Sequence, residues 1–306
     1  MSDDAVSNGE EAMTSNERIG FIGLGAMGKP MALLLQKAGY RLTVMNRSPG
    51  PVDELVSAGA TAGATPADVA AQSDVVVTML PVSEDVEAVV FGADGMLSGA
   101  RGGMLYIDMS SIAPATSQNI ARACAEKDVA CVDAPVSGGV KGAQEGSLAI
   151  MVGGDAGAVE RARPVLDVLG RKVTHVGPAG AGQVAKIANQ VIVAGTIALV
   201  GEALSLAQAA GVDGARVIDA LEGGFADSAI LKNHGRRMLE EQFAPGFRLQ
   251  LQLKDVRLAS ALAGQLGLVL EVTTCVEDAV AKAVEKGFGD LDHAALVKVV
   301  GSARQP

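Results

Sequence analysis

The sequence has no tryptophan, three histidines, three cysteines and no surplus of positive charge. Each shortage closes off a class of function. Cys124, Cys131 and Cys275 are odd in number and show no C-x-x-C spacing, and His175, His234 and His293 are scattered along the chain, so neither a disulfide framework nor a metal site is indicated. With 25 Lys and Arg against 35 Asp and Glu the net charge is −10, whereas a nucleic-acid partner calls for a basic face. The longest apolar tract, Val191 to Val200, falls short of the ~20 residues that span a bilayer and is soon followed by Glu202. It reads as part of a buried helix. Residues 1–17, MSDDAVSNGEEAMTSNE, are polar and acidic, lack the basic and apolar regions of a secretory signal, and read as a disordered extension. The expected setting is cytoplasmic, with no membrane and no nucleic acid among the partners.

Glycine, by contrast, is abundant at 38 residues, and one early group is the most informative. Gly23-Leu24-Gly25-Ala26-Met27-Gly28 follows the apolar run Ile19-Gly20-Phe21-Ile22 and opens a helical pattern of Met27, Met31, Leu34, Leu35 and Ala38, with Gly39 placed to end it. In this strand–turn–helix context G-x-G-x-x-G predicts a dinucleotide site. Gly23 permits the tight turn, Gly25 lets the backbone reach the pyrophosphate, Gly28 lets helix and strand pack closely, and the helix N-terminus receives the phosphates. An NAD site usually carries a carboxylate at the end of the second strand, roughly 20 residues further on. Here Arg41 to Met45 is followed by Asn46, Arg47 and Ser48, a neutral amide and a guanidinium suited to a 2′-phosphate. The expected cofactor is NADP, with NAD possible.

At 306 residues the chain is long enough for two domains. From Ile19 to about Val176, β-rich runs at 19–22, 41–45, 74–80, 104–109, 129–133, 147–152 and 172–176 alternate with Ala-rich helical stretches, the pattern of parallel strands joined by crossover helices. A glycine-rich link, Gly177-Pro178-Ala179-Gly180-Ala181-Gly182, then gives way to helical patterning. The expected architecture is an α/β Rossmann-type dinucleotide-binding domain over 18–179 and an all-α C-terminal domain over 180–306. A long interdomain helix from about Gln183 to Ala210 joins them and lines the cleft.

Within that helix Lys186 is the only cation between Gln183 and Ala215, with Gln183, Asn189 and Gln190 on the same face. A partly buried lysine has its pKa lowered toward neutrality and can serve as the acid in a carbonyl reduction; a lone lysine can equally snorkel to water. Asp133-Ala134-Pro135-Val136-Ser137-Gly138-Gly139 ends a strand in a turn whose hydroxyl and N–H groups suit a carboxylate, or is an ordinary turn. Thr78-Met79-Leu80-Pro81 and Asp108-Met109-Ser110-Ser111 end two further strands, where open α/β sheets bind ligands. Lys254-Asp255, judged locally, reads as an exposed charge pair.

In order along the chain GFIGLGAMGKPM, TMLP, DMSS, DAPVSGG, GSLAIMVGG, GQVAKIANQ and LKDVRLA resemble the β-hydroxyacid dehydrogenase family from Arg18 to Val300. KIANQVIVA, FAPGFRLQLQLKD and LDHAAL are most similar to its tartronate semialdehyde branch. The resemblance implies that Lys186 is the catalytic acid/base, that Asn189 orients substrate, and that Ser137, Gly138 and Gly139 hold the substrate carboxylate. It also implies that Met79, Leu80, Pro81 and Ser111 lie beside the cofactor and that Lys254 closes over it. Two departures bear on specificity. Gln190 replaces the second asparagine of hydroxyisobutyrate-type members, and Asn46 replaces an acidic residue common at the end of the second strand. The implied substrate is a short semialdehyde or hydroxyacid, tartronate semialdehyde foremost and hydroxyisobutyrate next, and the implied assembly is a homodimer or homotetramer. A non-catalytic cofactor-binding protein on this fold would be expected to lose Lys186 or Ser137, and both are present.

Overall fold

The structure, a computed structural model, describes residues 17–301; apart from Glu17, the extension expected over 1–17 lies outside them. Short β-branched and aromatic runs form strands β1 (Arg18–Ile22), β2 (Arg41–Met45), β3 (Thr61–Ala62), β4 (Val75–Thr78), β5 (Leu105–Asp108), β6 (Ala130–Asp133), β7 (Val136–Ser137), β8 (Leu148–Gly154) and β9 (Gly170–Gly177). They make one sheet in the order β3-β2-β1-β4-β5-β6-β8-β7, with β9 beside β8. Its first six positions are parallel and reproduce the doubly wound order, which reverses between β1 and β4 and so opens a crevice at their carboxyl ends.

The expectation of parallel strands throughout is corrected at the far edge, where β8 runs antiparallel to β6 and to β7. An apolar run such as Leu148-Ala149-Ile150-Met151-Val152 records that a strand is buried but not which way it points. The strands β3 and β7, two residues each, are too short for a periodic signal.

Helices α1 (Gly28–Lys37), α2 (Pro49–Ser57), α3 (Pro66–Ala71), α4 (Ser83–Phe91), α5 (Met96–Gly99), α6 (Pro114–Ala125), α7 (Gly139–Glu145) and α8 (Ala156–Leu169) connect the strands. Side chains alternate across the central strands as the pleat requires. Ile19, Phe21, Val75, Val77, Leu105 and Ile107 enter the core beneath α1 and α8, while Ile22, Val76 and Tyr106 enter a second core under α3, α4 and α6. Both faces being covered, these strands read as nearly continuous apolar runs.

Beyond the sheet come α9 (Ala181–Ala209), α10 (Gly214–Leu221), a π-helical turn (Leu231–Gly235), α11 (Arg236–Leu239), α12 (Leu249–Gln265), α13 (Glu271–Ala283) and a 3₁₀ segment (His293–Lys298). A third apolar cluster, from Ala194 to Val300, binds these helices together. At 29 residues, with a mean hydropathy of 1.7 in its most apolar stretch, α9 has the length and composition to cross a membrane, which the short tract at 191–200 does not disclose. Here Gln183, Lys186 and Gln190 turn inward while Ala194, Ile197 and Leu204 pack into the helical core. A core helix passes the same test of length and hydropathy. Only one side of it is covered, however, since Ile192, Leu199 and Leu206 are exposed.

Gly23 adopts φ +99°, and a Cβ on Gly28 would lie 1.9 Å from the Gly23 carbonyl oxygen, whereas one on Gly25 would meet nothing within 4 Å. Gly28→Ala therefore forces helix and strand apart and is expected to cost about 1–3 kcal/mol, while Gly25→Ala leaves the thermal midpoint unchanged. Thermal unfolding of the two variants side by side checks this, and equal melting would contradict the packing described.

Candidate active site

The turn between β1 and α1 is held by hydrogen bonds to the end of β2 and the residue that follows it. Gly23 N–H donates to Met45 O at 3.0 Å, and Leu24 N–H donates to Asn46 Oδ1 at 3.0 Å. The Asn46 amide then donates to Ser48 O at 3.1 Å. Gly25 and Ala26 are exposed at the mouth of the turn, Met27 is half-buried against the core, and Gly28 starts α1. Arg47 extends into solvent, 88% exposed, with Asp85 Oδ1 3.9 Å away, and Ser48 is also exposed.

Across the crevice, β4 ends in Thr78, whose hydroxyl donates to Asp108 Oδ1 at 2.8 Å. Leu80 N–H donates to Ser110 Oγ at 2.9 Å, locking the loop after β4 to the loop after β5. Met79 and Leu80 are half-buried and Pro81 is exposed. Burial pushes the Asp108 carboxyl up to about 6, against hydrogen bonds from Ser110 and Thr78 that pull it down. The Lys254 ammonium, from α12, donates to Ser111 O at 2.6 Å and to Pro81 O at 3.0 Å. The local reading of Lys254 and Asp255 as an exposed pair is thus overturned: Asp255 is 3% exposed and its Oδ1 lies 3.0 Å from Lys254 Nζ. Asp255 meets α9 through Gln190, while Lys254 reaches the loops after β4 and β5.

Lys186 projects from the second turn of α9 into a narrow cleft lined by Ser111, Ile112, Gln183, Ile187, Gln190, Asp255 and Leu258. Its ammonium donates to Gln190 Oε1 at 3.1 Å, and the Gln190 amide donates to Asp255 Oδ2 at 2.6 Å. Burial, reinforced by Lys254 and partly offset by Asp255, lowers the Lys186 pKa to about 8. Gln183, read as part of the same polar face, is instead spent on scaffold. It accepts from Ile112 N–H at 3.1 Å and donates to Ser110 O at 2.9 Å. Asn189 is half-buried, and its Oδ1 is buried with no hydrogen-bond partner.

The structure thus brings Lys186, Gln190, Asp255, Lys254 and Ser111 together at the strand ends, with the glycine turn, Asn46 and the Met79–Pro81 loop beside them. No hydrogen bond among the described residues links Ser137, Gly138 or Gly139 to this set; they lie on the edge formed by β7 and the start of α7. Gly138 (φ +142°) and Gly139 (φ +62°) take backbone conformations that favour glycine. Asp255 and Asp133 are the residues that the local sequence left without a role. A buried partner 65 residues from Gln190 leaves no local signal. Nor are all the histidines scattered in space, since His234 and His293 are hydrogen-bonded at 2.8 Å.

The sequence profile of the NAD binding domain of 6-phosphogluconate dehydrogenase matches residues 18–177. The profile described as NAD-binding of NADP-dependent 3-hydroxyisobutyrate dehydrogenase matches residues 180–300. The chain is 45% identical over 284 residues to 2-hydroxy-3-oxopropionate reductase of Escherichia coli (strain K12), covering 92% of this chain and 97% of that protein. It is 40% identical over 252 residues to 3-hydroxyisobutyrate dehydrogenase of Pseudomonas aeruginosa, covering 80% and 85%. The solved structure of Mycobacterium tuberculosis 3-hydroxyisobutyrate dehydrogenase with L-serine superposes with a TM-score of 0.85 at 32% identity, covering 92% of this chain and 98% of that one. A Rossmann sheet with a helical C-terminal half and a continuous α9, matched along nearly its whole length by these proteins, belongs to the β-hydroxyacid dehydrogenase family of NAD(P)-dependent oxidoreductases.

Proposed function

We propose that this chain interconverts tartronate semialdehyde (2-hydroxy-3-oxopropionate) and glycerate, with NADPH preferred and Lys186 as the proton donor. The observation that carries the reading is the buried Lys186 amine, held near pKa 8 in a cleft at the strand ends. The 45% identity to 2-hydroxy-3-oxopropionate reductase supports the substrate. Support for the cofactor site comes from the open space over Gly25, where a Cβ would meet nothing within 4 Å, at the N-terminal end of α1. Gly23 to Gly28 would hold the pyrophosphate, Asn46, Arg47 and Ser48 the adenosine ribose and its phosphate, and Met79, Leu80, Pro81 and Ser111 the nicotinamide side. Lys254 would close the helical half over it.

The bound nicotinamide supplies the hydride that reduces the aldehyde carbon. Lys186 Nζ gives its proton to the aldehyde oxygen in reduction and takes the hydroxyl proton in oxidation. Gln190, accepting from Nζ, fixes where the amine points. The unpartnered Asn189 Oδ1 accepts from a substrate hydroxyl, which satisfies a buried oxygen otherwise left at a cost. Ser137 and the N–H groups of the Gly138–Gly139 turn receive the carboxylate. The exposed Ile192, Leu199 and Leu206, seven residues apart on one side of α9, are 67%, 62% and 73% exposed, and they support assembly as a homodimer or homotetramer through the helical half.

Reduction requires the Lys186 ammonium, so its rate is expected to fall as pH rises through about 8, while oxidation requires the free amine and rises through the same range. Lys186→Ala is expected to lower kcat by ~100-fold or more. Initial rates with tartronate, succinic and methylmalonate semialdehydes from pH 6 to 10 test both points. A different preferred semialdehyde removes the substrate assignment, and a variant as fast as wild type removes the lysine. Asp255→Asn deletes the carboxylate that raises the Lys186 pKa; the falling limb of reduction should move to lower pH, and an unmoved limb would show that Asp255 does not tune the amine.

Asn46→Asp can keep the bond from Leu24 N–H but places a negative charge at the strand end. The ratio of kcat/KM for NADPH over NADH should fall at least tenfold, and Arg47→Ala should lower it in the same direction. A ratio near one in the unmodified protein, unmoved by either change, would refute the NADP preference.

A further inference from the structure

The helical half holds a second cluster of polar side chains, outside the Lys186 cleft and without a part in the reaction. His234 lies in the π-helical turn, and Asp292 and His293 open the 3₁₀ segment. The Nε2 atoms of His234 and His293 face one another at 2.8 Å, with the rings inclined at 73°. One ligand atom from each of His234, Asp292 and His293 can be chosen so that all lie within 4.8 Å of one another. Two facing imidazole nitrogens hold a single hydrogen between them, the donor on one ring and the lone pair on the other. Two imidazole nitrogens bound to one tetrahedral ion at about 2.0–2.1 Å stand ~3.3 Å apart, so the rings would have to part by about half an ångström from their present 2.8 Å.

Around His293 and Asp292 the contacts have the form of a metal's outer shell, in which the second ring nitrogen is hydrogen-bonded and the carboxylate is held in place, while His234 Nδ1 is buried without a hydrogen-bond partner. His293 Nδ1 lies 3.0 Å from Gln252 Oε1; an amide oxygen only accepts, so Nδ1 carries the hydrogen and Nε2 presents its lone pair. Asp292 Oδ2 accepts from Gly246 N–H at 2.9 Å and Phe247 N–H at 3.1 Å and pairs with Arg237 at 3.0 Å. Oδ1 takes only Ala294 N–H, at 3.1 Å, and keeps a lone pair to give. Asp292 and His293 are buried, whereas His234 is half-buried and gives an ion a way in.

We propose that His234, Asp292 and His293 bind a first-row divalent cation of the zinc type, the hydrogen now held between the two Nε2 atoms moving to His234 Nδ1 so that both imidazoles ligate as neutral rings. Two imidazoles and one carboxylate form a recurrent donor set for Zn²⁺, with water completing the shell. Bound there, the ion would clamp the π-helical turn to the 3₁₀ segment. The inference does not rest on the substrate reading, and its test uses no substrate.

The probes are Co²⁺ and Zn²⁺, added to the untagged full-length protein after exhaustive chelation. One equivalent of Co²⁺ per chain should produce visible d–d bands of low-coordinate cobalt, bleached by stoichiometric Zn²⁺, and Zn²⁺ should raise the thermal midpoint. His234→Ala should weaken binding at least tenfold. His234→Cys should restore it and add a sulfur-to-cobalt charge-transfer band that no surface carboxylate can give. Absence of d–d bands in the wild type overturns the proposal. So does binding of equal strength in His234→Ala, which would mark adventitious sites, or a Cys variant without the charge-transfer band.

Discussion

The Asp133 carboxylate, at the last position of β6, accepts from Gly180 N–H at 2.7 Å through Oδ1 and from Gln183 N–H at 2.9 Å through Oδ2. It thereby caps α9, whose own first residues supply no side-chain cap. The contact is so close that it dictates glycine on both sides. A Cβ on Gly182 would lie 2.5 Å from Met151 O and 2.7 Å from Asp133 O, and one on Gly153 would lie 2.5 Å from Asp133 Oδ1. One buried carboxylate in the sheet thus sets both the starting point and the direction of the helix that carries Lys186. Burial pushes the Asp133 carboxyl up while the backbone N–H groups pull it down, so the same hydrogen bonds that orient α9 keep the capping charge tolerable. Loss of this contact would move the amine relative to the strand ends without touching the cleft itself.

Given that placement, Gln190 decides what kind of lysine Lys186 is. A carboxylate in direct contact would hold the amine as a permanent ammonium, since opposite charges within about 4–6 Å favour the charged form. Gln190 instead stands between Lys186 and Asp255, accepting from one and donating to the other, while Asp255 spends part of its charge on Lys254. The lysine keeps a hydrogen bond that aims it, yet burial outweighs the attraction of Asp255 and the pKa settles near 8. An asparagine at this position is one methylene shorter and would have to reach the same two partners with less chain. The identity of residue 190 is therefore coupled to the spacing of α9 and α12.

Much of this was legible in the sequence because it is local. The glycine turn, α1, the central strands and the long helix all leave periodic or steric signatures within a few residues. What escaped depends on pairings that no window can see. The reversal of β8 is decided by which neighbour it meets, and the buried state of Asp255 by the α9 face it packs on. Burial of Gln183 follows from Ser110 and Ile112, more than 70 residues away in the chain. The meeting of His234 with His293 spans 59 residues. Lys254 shows the limit most clearly, because a charge pair in a helical pattern reads as solvated until the loops after β4 and β5 supply the carbonyls that bind it.

Asn46 shows how two demands can be met at one position and still be separable. Its Oδ1 is committed to the Leu24 N–H, which holds the glycine turn in shape, so the side chain there must present an acceptor at that distance from the backbone. Asparagine and aspartate both do so. They differ at the second atom, which is a donor to Ser48 O in the one and a charged acceptor in the other. The turn thus constrains one atom of residue 46 and leaves the next free to meet a ribose hydroxyl or to tolerate a phosphate. Arg47, exposed and only loosely paired, adds positive charge at no cost to the fold. Under the proposed cofactor reading, selection between the two dinucleotides would act on these two side chains while the backbone of the glycine turn stays fixed.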